Sequence, residues 1–280
     1  DEAFFGHAGL IFGNAARAFT QALGIGKADV PFDSASRPYA QALARFSSAF
    51  GLCADAAMTT LGGELKMREL ISARLGDMLA NLYLASMVLK NWYETQPVDG
   101  EKELMQYSMT LLLHRTEKAL DEFLKNLPNR PAAMALRAVT LPLGRRWAEP
   151  GDELTRKLAN SISTDTPVRS KLTESAWTTA GEGDVANPLA QYNALLKDYG
   201  KAEQLYRKAT KAYAKGELPM TALHPEERFE AALEAGIFSQ EEADFMREYE
   251  ALVLEMLTVD DFPFDEFARN KDTLIDHNPA

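Results

Sequence analysis

Leu65-Lys66-Met67-Arg68-Glu69-Leu70-Ile71-Ser72-Ala73-Arg74-Leu75-Gly76-Asp77-Met78-Leu79-Ala80-Asn81-Leu82-Tyr83-Leu84-Ala85-Ser86-Met87-Val88-Leu89-Lys90-Asn91-Trp92 is the stretch that decides the fold. Within it Ile71, Leu75, Met78, Leu82, Ala85 and Leu89 recur in alternating steps of four and three. That spacing puts them on one face of an α-helix, so a buried stripe is expected there. Arg74 and Asp77 lie three apart on a flanking face, where an ion pair would add only about a few tenths of a kcal/mol. Pro97 and Gly100 end the segment, and Asp99 is read as the N-cap of the next helix.

Working outward, a second stripe runs through Met105, Met109, Leu112, Leu113, Thr116, Leu120, Phe123, Leu124 and Leu127, predicting a helix over 101–127. Leu127-Pro128-Asn129-Arg130-Pro131 reads as a turn, with Pro131 opening a short helix to about Leu141, since its missing amide hydrogen would be unpaired there anyway. Upstream, 5–23 and 36–61 read as two more helices, joined by a linker that contains Gly24, Gly26, Pro31 and Asp33. Gly24-Ile25-Gly26-Lys27 lacks the Ser or Thr and the preceding strand of a phosphate loop, so it is taken as linker. Four long helices with short connections imply an antiparallel bundle over 1–159.

Over 160–188 Ser, Thr, Gly, Pro and Asn dominate and no period survives, so a linker or long loop is expected. Helical patterns return over 189–215 and 225–235. Gly236 reads as a C-cap glycine, and Ser239-Gln240-Glu241-Glu242 as a capping box opening a helix to about Leu257. The expected fold is therefore all-α, an antiparallel helical bundle followed by a smaller helical C-terminal extension over 189–280.

Bulk properties narrow the function classes. With 280 residues, 46% of them hydrophobic and 25% charged, the chain has the balance of a globular protein with one large or two modest cores. A formal net charge of −11 repels nucleic-acid phosphates, so no nucleic-acid partner is expected. Cys53 is the single cysteine; it can form neither an intrachain disulfide nor a cysteine zinc site, and it sits in an apolar run that marks a buried structural thiol. A reducing compartment such as bacterial cytoplasm fits this usage. No apolar run reaches the roughly twenty residues a membrane span needs, and the start carries no signal-peptide pattern. The chain begins Asp-Glu-Ala rather than with Met, which reads as a fragment or an excised domain.

The chemistry-bearing residues form no recognisable constellation. His7, His114, His224 and His277 are scattered, none with a second His or Cys at ligand spacing, so no metal site is expected. No Gly-x-Ser-x-Gly elbow occurs, and no pair of carboxylates is singled out as acid and base. The residues alone indicate a helical domain without a self-evident active site.

One ordered set of motifs is more specific. Leu61-Gly62-Gly63-Glu64 leading into Leu65–Asp77, then Leu82-Tyr83-Leu84-Ala85-Ser86 and Val88-Leu89-Lys90, closely resembles the bacterial-type C-terminal domain of acyl-CoA dehydrogenases of fatty-acid β-oxidation. Phe5-Gly6-His7, Ala119-Leu120-Asp121, Asn129-Arg130-Pro131, Pro142-Leu143-Gly144-Arg145 and Val259-Asp260-Asp261-Phe262 match in the same order, with 160–188 matching least. The resemblance implies a parent enzyme that uses FAD to desaturate medium- to long-chain acyl-CoA, with electron-transfer flavoprotein as acceptor. A glutamate in a Glu-Gly-(Thr/Ala)-Asn turn would take the α proton while the β hydrogen leaves as hydride to the flavin.

That turn and the flavin domain belong to upstream regions of the family, so no catalytic and no cofactor-binding residue is assigned here, and this chain alone is expected to be inactive. Glu182-Gly183-Asp184 copies the turn superficially but has Val185 at its fourth place and falls in the variable loop. The resemblance further implies a degenerate duplicated bundle that serves dimerisation, membrane contact or support of the catalytic domains. A non-catalytic helical adaptor is the alternative, which composition and periodicity do not separate from the first.

One cluster stands out against the negative net charge. Between Arg137 and Lys157 lie Arg137, Arg145, Arg146, Arg156 and Lys157, with Trp147 interleaved. The plainer reading is surface charge paired with nearby carboxylates. The sharper readings are a peripheral contact at the inner membrane, cations on anionic headgroups and Trp147 in the interface, or an intersubunit contact in a homodimer.

Overall fold

The computed structural model describes residues 2–26, 29–176, 188–219 and 224–257. Every regular element among them is helical, in agreement with the all-α expectation. In chain order these are α1 (Glu2–Ala22), α2 (Arg37–Leu61), α3 (Glu69–Glu94), α4 (Glu101–Asn126), α5 (Arg130–Thr140), α6 (Asp152–Ile162), α7 (Pro167–Thr173), α8 (Pro188–Ala214), α9 (Pro225–Glu234) and α10 (Gln240–Leu257). The chain divides into two compact units, the first Asp1–Ile162 with Thr166–Val168, the second Ser163–Asp165 with Arg169–Ala280.

In the first unit α3 and α4 form the most extensive pairing, α1 packs on α2 and α5, α2 also meets α3 and α4, and α6 lies on α4. The short connection between α3 and α4 makes them antiparallel neighbours. Their seam is the pair of stripes read from the sequence. Ile71, Met78, Leu82, Ala85 and Leu89 are buried on α3, and Met105, Met109, Leu113, Leu120 and Phe123 on α4. Leu75 is the exception; it is only half-buried, at the edge of the stripe. Each fully buried Leu, Met or Phe contributes roughly 1.5–3 kcal/mol relative to exposure, so this seam is the main source of cohesion.

Local chemistry explains the boundaries. Gly24 and Gly26 take positive φ and stop α1, with Ile25 N donating to Thr20 O at 2.8 Å, which fits the linker reading of this glycine pair. The helix expected from Leu65 begins at Glu69, because Gly62–Lys66 winds into a 3-10 turn first. The N-cap of α4 is Gly100, at φ +84°, rather than Asp99. A Cβ at Gly100 would also come within 3.0 Å of Val168 Cγ1, so both backbone and space demand glycine. Asp33 Oδ1 accepts from Ser36 N at 2.8 Å, while Trp92 Nε1 donates to Asp33 Oδ2 at 3.1 Å, tying the end of α3 to the α1–α2 linker.

Two helices go beyond the sequence expectation. α6 and α7 bury one apolar side chain each, Leu158 and Val168, too few to show a period. α7 lies inside the stretch read as linker, and 177–187, which includes Glu182-Gly183-Asp184, lies outside the described residues.

The second unit has its own core of Leu205, Ala209, Ala212, Phe229, Ala232, Phe238 and Met246, drawn from α8, α9, α10 and their connections. Phe229 stacks on Phe238 with centroids 6.1 Å apart. Gly236 ends α9 at φ +70°, and the capping box forms as read: Glu242 N donates to Ser239 Oγ at 3.1 Å and Ser239 N to Glu242 Oε2 at 3.0 Å. The tail from Val259 onward lies outside the described residues.

Candidate functional site

The basic segment is distributed over three elements. Arg137 sits on α5, Arg145, Arg146 and Trp147 on the irregular strip between α5 and α6, and Arg156 and Lys157 on α6. The strip has no helical ladder to satisfy its amides, so its backbone needs other acceptors. Glu117 supplies one. Its side chain is fully buried on α4, and Oε2 accepts from Arg146 N and Trp147 N at 2.8 Å each, while Oε1 has no hydrogen-bond partner. The Trp147 carbonyl meets His114 Nδ1 at 2.9 Å. Trp147 itself is half-buried against the core, 5.9 Å between centroids from Tyr39.

The side chains of the cluster largely have partners inside the molecule. Arg137 pairs with Asp121 at 2.6 Å, Lys157 with Glu153 at 3.4 Å, and Arg146 Nη1 donates to Ala22 O at 3.2 Å, covering the C-terminal end of α1. Arg145 lies 3.5 Å from His114 Nδ1 and is exposed, as are Leu143, Arg146 and Arg156.

Arg45 is the functional-looking residue that sequence reading missed. It is 93% buried on α2, since only 7% of its surface is exposed. Its Nη2 donates to Thr140 O at 2.9 Å and its guanidinium lies over the Phe46 ring at 4.6 Å. Burial pulls its pKa below the ordinary arginine value, Glu117 raises it, and Arg146 lowers it again. Arg45, Arg146, Trp147, Gln21, Pro38 and Gln41 line a cleft of about 440 Å³ between α1, α2 and the strip. An arginine among alanines and serines on α2 carries no signal that it faces inward; only the packing shows it.

Asp121 is held differently. Burial pushes its carboxyl up, but hydrogen bonds from Lys125 at 2.8 Å and Arg137 at 2.6 Å outweigh this and keep it below the ordinary aspartate value. A depressed carboxylate contributes stability above its unfolded pKa and loses it as pH falls through the folded value. Arg137→Ala is therefore expected to cost about 1 kcal/mol at neutral pH, discounted because Arg137 is partly exposed, with the deficit shrinking below about pH 4. Urea unfolding of both proteins between neutral and acidic pH measures this; a deficit that is constant with pH would mean the pairing is not electrostatic.

Other chemistry-bearing groups are structural. Cys53 is fully buried and its thiol is pushed up to about 12 by burial, which removes the thiolate a nucleophile needs. Arg74 reaches Glu122 at 4.0 Å across the α3–α4 seam instead of Asp77. His7 lies 3.5 Å from Asp55, and His277 lies outside the described residues. Among the described residues no three His, Cys, Asp or Glu side chains converge as a metal site, and no helix is long and apolar enough to cross a membrane.

Two outward faces complete the geometry. On α1, Phe5, Phe12 and Phe19 repeat every seven residues and Leu23 lies one turn further on, all exposed. On α3, Leu79, Tyr83 and Met87 repeat every four residues on a face separate from the buried stripe and are exposed by 54%, 63% and 43%. A family model described as acyl-CoA dehydrogenase, C-terminal, bacterial type, matches residues 1–262. No solved structure shows a significant match to the chain.

Proposed function

The chain belongs to the family of bacterial-type acyl-CoA dehydrogenase C-terminal domains, and from that premise we propose that it supports the catalytic domains of an FAD-dependent enzyme by docking against them. The parent would form trans-2-enoyl-CoA from medium- or long-chain acyl-CoA in fatty-acid β-oxidation and pass electrons to electron-transfer flavoprotein. FAD and the catalytic glutamate would lie in domains outside this chain. What this chain contributes is apolar surface.

The observation that carries the docking role is α3. A helix apolar on one stripe packs on one neighbour; a helix apolar on most of its circumference is one that is covered on both sides. Leu79, Tyr83 and Met87, with Leu84 flanking Met87, leave a second face of α3 apolar that no described residue of the first unit covers. The phenylalanine stripe of α1 adds a second such face. Contiguous exposed apolar surface on this scale marks an interaction site. A domain described as C-terminal has the rest of its enzyme as the nearest large partner. Peripheral membrane contact through the basic segment is the weaker reading, because Arg137 and Lys157 pair with carboxylates within the chain and Trp147 is half-buried.

The test is reconstitution. The flavin-bearing catalytic domains and the 280-residue chain are purified apart and mixed. The chain alone is expected to be colourless and without acyl-CoA dehydrogenase turnover, and the mixture to elute as one complex. Changing Leu79, Tyr83 and Met87 together to Glu should weaken that complex about a hundred-fold or more, since central apolar contacts of an interface are each worth on the order of 1–2 kcal/mol. No complex at micromolar concentration would sink the docking role. A chain that instead self-associates, with the same triple change abolishing the dimer, would assign the α3 face to a second copy.

A further inference from the structure

The cleft between α1, α2 and the strip before α6 has a charge imbalance that the fold itself leaves open. Arg45 and Arg146 both line it, and Glu117, the carboxylate that acts on Arg45, spends Oε2 on the amides of Arg146 and Trp147. One buried acid thus stands against two guanidinium groups. Arg45 Nε is a buried donor without a hydrogen-bond partner and can serve an anion, while Glu117 Oε1 and Gln21 Oε1 are unpaired acceptors that only a hydroxyl or other donor on the ligand can meet. Arg146 uses Nη1 on Ala22 O, and a guanidinium has five N–H donors, so most of its capacity remains for something else.

We propose that this cleft is a binding site for the phosphate group of a small organic phosphate ester. Two guanidiniums present the forked donors that phosphate oxygens accept, and with Glu117 offsetting one of them the cleft keeps one positive charge for an anion. An anion there would also relieve the mutual repulsion between Arg45 and Arg146. The volume, about 440 Å³, exceeds what a bare phosphate fills, and Trp147 with Ala42 and Pro38 offers the remainder an apolar wall. Gln21 can turn its amide to donate or accept as the ligand requires. The site is independent of the α3 docking face.

Calorimetric titration of the whole 280-residue chain decides the matter, with inorganic phosphate and glycerol 3-phosphate as soluble probes and phosphatidic-acid vesicles as the lipid-borne form of the same group. Glycerol 3-phosphate is expected to bind one per chain. Arg146→Ala, which keeps the backbone amide that Glu117 needs, should weaken it about ten-fold or more, the worth of one charge-assisted hydrogen bond. Gln21→Leu should weaken it several-fold, and Arg145→Ala, outside the cleft, should leave it unchanged. Matched circular dichroism confirms that the variants fold. Absence of binding at millimolar glycerol 3-phosphate overturns the proposal. So does equal weakening by Arg145→Ala and Arg146→Ala, which would mean diffuse attraction. Binding to vesicles with none to the soluble ester also overturns it, and assigns the charge to a membrane surface instead.

Discussion

Replacing Glu117 with alanine is expected to destabilise the first unit by about 3–5 kcal/mol, although no sequence pattern marks this residue. The loss has two parts. The amides of Arg146 and Trp147, both partly buried, would lose their shared acceptor, and each orphaned donor costs up to roughly 1–3 kcal/mol. Arg45, 93% buried, would also lose the negative group that offsets its charge. Glu117→Gln keeps an acceptor oxygen but not the charge, so its cost should fall between wild type and alanine. Guanidinium unfolding supplies the energies, and hydrogen exchange at Arg146 and Trp147 reports whether the strip detaches before the bundle unfolds. If Glu117→Ala moved the unfolding midpoint by no more than a surface substitution, Glu117 would not be the anchor of the strip.

Leu89→Ala should cost about 2–5 kcal/mol, because Leu89 is 2% exposed in the α3–α4 seam and its loss leaves a cavity as well as forfeiting burial. Leu79→Ala on the same helix, 54% exposed, should change the stability of the isolated chain by no more than about 0.5 kcal/mol. The contrast separates two uses of leucine. One holds the bundle together; the other is available to a partner and should matter only when the partner is present. Equal costs for both in the isolated chain would show that the outer face is already covered, by self-association.

Much of the fold was legible because it rests on local periodicity. Every residue of the stripe from Met105 to Leu127 is buried, and so are five of the six on α3. Gly236 and the Ser239–Glu242 box end and begin helices by chemistry contained within four residues, so sequence sufficed there. The misses have the opposite character. Asp99 is a better cap by residue type, yet Gly100 takes the position, because the turn there needs positive φ and Val168 leaves no room for a Cβ. α6 and α7 escape a reading by period because one buried residue apiece makes none.

The candidate site was half visible. The cluster from Arg137 to Lys157 is conspicuous in a chain of net −11, but charge in sequence does not say what it faces. By itself the sequence determined that the chain is helical, where its long helices run, and which face of α3 and α4 seals the core, since a 3.6-residue repeat converts spacing into direction. It also carried the ordered motifs of its family. Tertiary structure alone decided that Arg45 turns inward, that Glu117 on α4 holds a strip some thirty residues later, and that Arg146 joins Arg45 in one cleft. Those are contacts between residues far apart in the chain, whose partners are set by how helices dock, and the burial that gives such a charge its energetic weight exists only once the helices have docked.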